Sequence, residues 1–68
     1  MKCLAQTLLT LRKSKELSQS EVIRLSKIGK NQLYLIENGK IVPKIETLIK
    51  LCEVYKISLS ELFREAKL

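Results

Sequence analysis

Apolar residues Leu4, Leu8 and Leu11 recur at i, i+4 and i+7, the period of one helical stripe, while Gln6, Thr7, Thr10 and Lys13 fall mostly outside it. The spacing predicts a first helix running to about Lys15. Ser18-Gln19-Ser20-Glu21 has the spacing of a capping box, flanked by Leu17 and Val22 as a hydrophobic staple, and opens a second helix. Leu33 and Ile36 then share one side of a short third helix that ends at Asn38-Gly39, with Gly39 suited to a left-handed cap. Residues 41–44 hold the only proline and read as a loop. Ile45, Leu48, Ile49 and Cys52 form the expected buried stripe of a fourth helix. Ser58-Leu59-Ser60-Glu61 is a second capping box, stapled by Ile57 and Leu62, and opens a fifth helix carrying Phe63 and Ala66. No stretch alternates as a strand does, so the pattern predicts an all-α bundle of five short helices.

Composition narrows the chemistry. Sixty-eight residues, 46% hydrophobic and 29% charged, suit one small folded domain. With no His and no Asp, the chain can assemble neither a Ser-His-Asp triad nor a Cys-His pair, so it is not expected to be an enzyme. Cys3 and Cys52 have no metal-ligand spacing and sit among apolar neighbours, which points to reduced core residues, with a disulfide as the alternative. No metal, cofactor or small-molecule ligand is expected. The N-terminus lacks the features of a secretion signal, and no apolar run approaches the roughly 18 residues of a membrane span. The expected location is the cytoplasm, at the nucleoid, with no membrane partner.

Charge adds direction. Thirteen Lys and Arg against seven Glu give +6, and residues 45–68 carry four of each sign, so the whole excess lies in the first 44 residues. A basic half joined to a neutral half suits one face for a polyanion and another for structure or self-association. Two short helices joined by a tight turn, set in that basic half, are the geometry of a helix-turn-helix DNA reader.

The residues then resemble a family. Leu17-Ser18-Gln19, Glu21-Val22, Leu33, Ile36-Glu37-Asn38-Gly39-Lys40, Pro43, Glu46-Thr47-Leu48 and Ile57-Ser58-Leu59-Ser60-Glu61-Leu62-Phe63 are similar in order and spacing to the helix-turn-helix domain of the phage Cro and repressor type, called XRE-like. The resemblance covers residues 4–63. It implies a five-helix, lambda-repressor-like fold filling residues 1–68 as one domain, with the helix-turn-helix at about 19–38. It also implies sequence-specific binding to duplex DNA, usually as a dimer.

Helical geometry says which side chains would do the reading. With Lys30 at zero and 100° per residue, Leu33 and Ile36 fall at roughly 300° and 240°, whereas Asn31, Tyr34, Leu35 and Asn38 fall between about 40° and 140°. On a helix in the major groove, Asn31 and Gln32 can bond bidentately to adenine, Lys30 can donate to guanine, and Leu35 can pack on thymine methyls. Tyr34 can reach a phosphate or stack at the groove edge, although core packing is the alternative for both Tyr34 and Leu35. Gln19 opens the second helix, where the resemblance implies a phosphate grip, and Asn38, Lys40 and Lys44 follow the recognition helix as clamps on the far strand. The resemblance further pairs Arg12 with Glu37 as a structural bridge.

Three positions depart from the family pattern. Lys27 stands where glycine is usual in the turn, at a left-handed cost of roughly 1–2 kcal/mol unless the turn changes shape. Ile23 replaces a usual alanine and should alter the packing of the two helices. Lys44 takes a cap position that favours Ser or Thr. A palindromic site read by a two-fold dimer is expected. Leu59, Leu62, Phe63 and Leu68 are candidates for its contact, or else simply close the core. The functional reading is a repressor or autoregulatory controller acting through its own concentration or a partner. The alternatives are an antitoxin that binds operator and toxin, or a helical interaction module without specific DNA binding.

Overall fold

A computed structural model describes the backbone of residues 2–67 and the side chains of residues 4–67. Five helices follow one another, α1 (Lys2–Ser14), α2 (Gln19–Ser26), α3 (Lys30–Glu37), α4 (Ile45–Tyr55) and α5 (Leu59–Glu65), and no strand occurs among the described residues. The fold is all-α. None of these helices is long and apolar enough to cross a membrane.

Local chemistry accounts for the boundaries. Ser18 Oγ accepts from the Glu21 N–H at 3.1 Å, and the Glu21 carboxylate accepts from the Ser18 N–H at 2.9 Å, which completes the capping box of α2. Those bonds also hold the Glu21 carboxyl below its ordinary pKa, the backbone bond being the larger cause. At α5 the hydroxyl half of the motif forms, with Ser58 Oγ accepting from Glu61 N–H at 3.1 Å. The return bond from Glu61 expected there is not among the capping contacts, and Ser58 Oγ instead lies 3.3 Å from Ser60 Oγ. Gly39 takes φ 70° just past α3, as a left-handed cap requires. Lys44 caps α4 with its backbone alone.

The turn of the helix-turn-helix puts a non-glycine residue in the left-handed region, at the expense of strain. Lys27 adopts φ 63°, ψ 24°, and its N–H donates to Ile23 O at 2.8 Å. Gly29 sits in ordinary extended geometry at φ −67°. Ile28, between them, is buried and anchors the turn to the core. Ile23 is half-buried and packs against that core from its edge.

Leu8, Val22, Leu33, Ile36, Leu51, Tyr55 and Leu62 are the large side chains sealed from solvent, contributed by all five helices. On α4 the buried stripe differs from the expected one. Leu48 and Cys52 are inside, but Ile45 and Ile49 are about half exposed, at 51% and 46%, and Leu51 and Tyr55 take their places. Both stripes have helical period. The one chosen faces α2 and α5, the helices against which α4 packs. Burial pushes the Cys52 thiol pKa up, and Cys52 is a free, buried cysteine. The side chain of Cys3 lies outside the described residues.

Candidate nucleic-acid interface

The third helix is held by its apolar face and at its C-terminal end. Leu33 and Ile36 anchor its inner face in the core. Glu37, at its C-terminal end, is buried, and its carboxylate is satisfied from two other helices. Arg12 Nε of α1 donates to Glu37 Oε2 at 2.7 Å, and Gln19 Nε2 of α2 donates to Glu37 Oε1 at 2.8 Å. Arg12 Nη1 also donates to Leu17 O at 2.9 Å, just before the cap of α2. A buried carboxylate is costly unless paired and hydrogen-bonded, and both oxygens here are occupied by donors. The three helices are therefore clamped around one charge.

Tyr55 of α4 lies beneath this clamp. Its phenol pKa is pushed up, first by burial and then by the negative charge of Glu37, with Arg12 acting in the opposite sense. The hydroxyl is buried without a hydrogen-bond partner among the described residues.

Outward of these anchors, Lys30, Asn31 and Tyr34 are exposed, Tyr34 at 57%. Core packing is thereby excluded for Tyr34. Gln32 and Leu35 are half-buried at the edges of the face. Asn38 is exposed, but its Nδ2 donates to Tyr34 O at 2.8 Å, so the amide also closes the end of α3. Lys40 and Lys44 are exposed beyond it, and Lys27 is exposed at the other end. Gln19 departs most from expectation, because its half-buried amide is turned inward onto Glu37. Sequence spacing carries no signal for that bond or for Tyr55, since both depend on how α2 and α4 pack against α3.

Of the C-terminal apolar residues considered for a partner contact, Leu59, Leu62 and Phe63 pack into or against the protein's own core. Leu62 is fully buried, and Leu59 and Phe63 are half-buried against the core. Leu68 lies outside the described residues. Among the described residues, the large apolar side chains left exposed are elsewhere, at Leu25, Tyr34, Ile41, Val42, Ile45 and Ile49.

Residues 8–62 match the helix-turn-helix family HTH_3, and this span takes in the clamp, the turn and the outward face of α3. The chain belongs to this helix-turn-helix family. Among its relatives is the HTH-type transcriptional regulator PuuR of Escherichia coli, 42% identical over 55 residues that make up 81% of this chain and 30% of PuuR. The cryptic phage CTXphi transcriptional repressor RstR of Vibrio cholerae is 35% identical over 57 residues, 84% of this chain and 51% of RstR. A crystal structure of an HTH_3 family transcriptional regulator from Vibrio cholerae superposes with TM-score 0.85 and 35% identity, covering 93% of this chain and 35% of that one. This helix-turn-helix chain thus spans about a third to a half of the length of these relatives.

Proposed function

We propose that this helix-turn-helix chain is a DNA-binding transcriptional regulator, a repressor or autoregulatory controller, that binds a palindromic operator as a two-fold dimer. The observation that carries the reading is α3 itself. It is buried on one side, clamped at its end through Glu37, and bare on the side bearing Lys30, Asn31 and Tyr34. A helix so fixed can enter a major groove without first being ordered, which lowers the entropic cost of binding.

In this reading Lys30, Asn31 and Gln32 address base edges, and the exposed part of Leu35 meets thymine methyls. Tyr34, Asn38, Lys40 and Lys44 hold the backbone and set register. Gln19 keeps one N–H on Glu37, leaving its second N–H to donate to a phosphate at the start of α2. The clamp would then sense the same backbone that the recognition helix straddles. That PuuR and RstR are named as a regulator and a repressor supports this assignment.

The test is selection from a random duplex pool near physiological salt, followed by sequencing of the retained DNA. Enrichment of a two-fold symmetric site is the expected result. No enrichment by folded protein would overturn the reading in favour of an interaction module.

A further inference from the structure

A cleft of about 310 Å³ lies between α2 and the C-terminal half of α4, lined by Leu25 and Ser26 from the one and by Lys50, Glu53, Val54 and Lys56 from the other. Leu25 is 50% exposed, and among the large apolar side chains exposed in the described residues it alone stands on neither α3 nor the stretch 41–49. No residue of α3 lines the cleft, so its occupant is not the duplex proposed for the face of that helix. We propose that the cleft receives an acidic amphipathic helix of a partner protein, one with acidic side chains two turns apart on either side of a large apolar one. The inference goes beyond the DNA-reading function and does not depend on it.

Charge defines the occupant. Lys50, Glu53 and Lys56 follow one another three positions apart along the edge that α4 gives to the cleft, and all three are exposed. At the rise of a helix the two lysines stand about 9 Å apart along the axis, with the acid midway. Among the described residues the one ion pair is Arg12–Glu37, so neither lysine is tied to Glu53. An acid brought opposite the middle of this edge meets Glu53 and is repelled, whereas acids at its two ends meet Lys50 and Lys56. On the α2 side, exposed Arg24 and Lys27 are the chain neighbours of Leu25 and Ser26 and add only base. Glu21, one turn before Leu25, already caps its own helix through the Ser18 N–H.

A second helix meets this pattern. Its positions i and i+7 share a face about 10.5 Å apart, with i+3 and i+4 between them. Glutamates at the outer pair match the two lysines, and leucines at the inner pair cover Leu25 and Val54.

Shape and backbone agree. Small-molecule sites run from about 300 to 1,000 Å³ and enclose most of their ligand. This cleft stands at the bottom of that range and is open where Leu25 is bare, so it suits one or two anchor side chains of a larger body. Both helices also end beside it in left-handed lysines, Lys27 at φ 63° and Lys56 at φ 57°, where glycine would carry no penalty. Lysine at both caps sets positive charge beside the cleft at a backbone cost of the kind that ligand-holding surfaces carry.

The experiment titrates two synthetic helical peptides of identical composition into isotope-labelled protein, followed by amide NMR. One carries Glu at i and i+7 with Leu at i+3 and i+4, and the other exchanges the glutamates with the leucines. Equal net charge cancels general attraction to a basic protein. The first is expected to bind on the order of 10-fold more tightly and to shift the amides of Ser26, Glu53 and Val54 while leaving Asn31 and Tyr34 in place. Leu25→Glu and Lys50→Glu are expected to abolish the preference, and a peptide with Lys in place of the glutamate facing position 50 is expected to restore binding to Lys50→Glu. Both substitutions are at exposed positions, circular dichroism establishes folding, and Lys50→Glu with its matched peptide decides the matter if Leu25→Glu unfolds. Equal binding of the two peptides, binding of neither, or shifts centred on α3 would overturn the inference. Self-association of wild type that Leu25→Glu removes and the first peptide does not displace would overturn it in favour of a second copy of the chain.

Discussion

Arg12 Nε and Glu37 Oε2, twenty-five positions apart in the chain, lie 2.7 Å from each other with side chains only 12% and 2% exposed. Removing one member of such a pair leaves an uncompensated buried charge, which typically costs 3–5 kcal/mol. In a domain of this size that approaches the whole stability. Glu37→Ala is therefore expected to lower the urea midpoint sharply and to weaken DNA binding together with it. A variant that kept full stability while losing binding would show that Glu37 contacts DNA and does not hold α3.

The buried hydroxyl of Tyr55 makes a prediction of opposite sign. A buried polar group without a partner costs about 1–3 kcal/mol, so Tyr55→Phe, which keeps the ring, is expected to leave stability unchanged or raise it. The raised phenol pKa adds a pH dependence. The folded state holds the proton more tightly than the unfolded chain, whose ordinary value is 10.0, so stability is whole below pH 10 and declines as pH rises above it. Urea denaturation at neutral and at alkaline pH tests both points, and Tyr55→Phe should flatten the alkaline decline.

Lys27 holds a left-handed conformation that glycine adopts without penalty. Lys27→Gly is expected to raise stability by about 1 kcal/mol, read as an increase in melting temperature. Gly29 has no such need at φ −67°, and a Cβ built there meets only ordinary contact with Gln32 Cβ at 3.7 Å. Gly29→Ser should thus be tolerated and supply the missing side-chain cap of α3. A fall in stability for Lys27→Gly would mean that the lysine side chain contributes more than its backbone strain removes.

Base reading and backbone holding separate by salt. Asn31→Ala is expected to cost about 1–3 kcal/mol on the selected operator and to relax one base position. Lys40→Ala should weaken all duplexes alike and reduce the slope of log K against log salt by about 1. Binding titrations at several salt concentrations distinguish them, and an exchange of the two behaviours would mean that α3 presents a different face to the groove.

The cap of α2 titrates in acid. Because the Glu21 carboxyl is held below its ordinary 4.5, its contribution is whole above that value and is lost as pH falls through the lower folded-state pKa. Glu21→Gln, which can still accept from the Ser18 N–H, is expected to remove this part of the acid sensitivity. An unchanged acid transition would show that the capping carboxylate is not coupled to folding.

Short-range chemistry along the chain is enough to set the local part of this protein. The order of five helices, the caps at Ser18 and Ser58 and the glycine stop at Gly39 follow from hydrogen bonds that span three or four residues and from a period that repeats every turn. Tertiary structure decided how each helix is rotated about its own axis. Ile45 and Ile49 carry the same periodic signal as Leu51 and Tyr55, and only packing against α2 and α5 selects the second set. The same holds for Gln19, whose position at a helix start suits a phosphate and whose amide meets Glu37 once α2 and α3 dock. Leu62 likewise serves the core because α5 folds back onto it. Periodicity specifies that a helix has an apolar face, but the neighbours that bury it come from distant sequence, so the choice among competing faces belongs to the assembled fold.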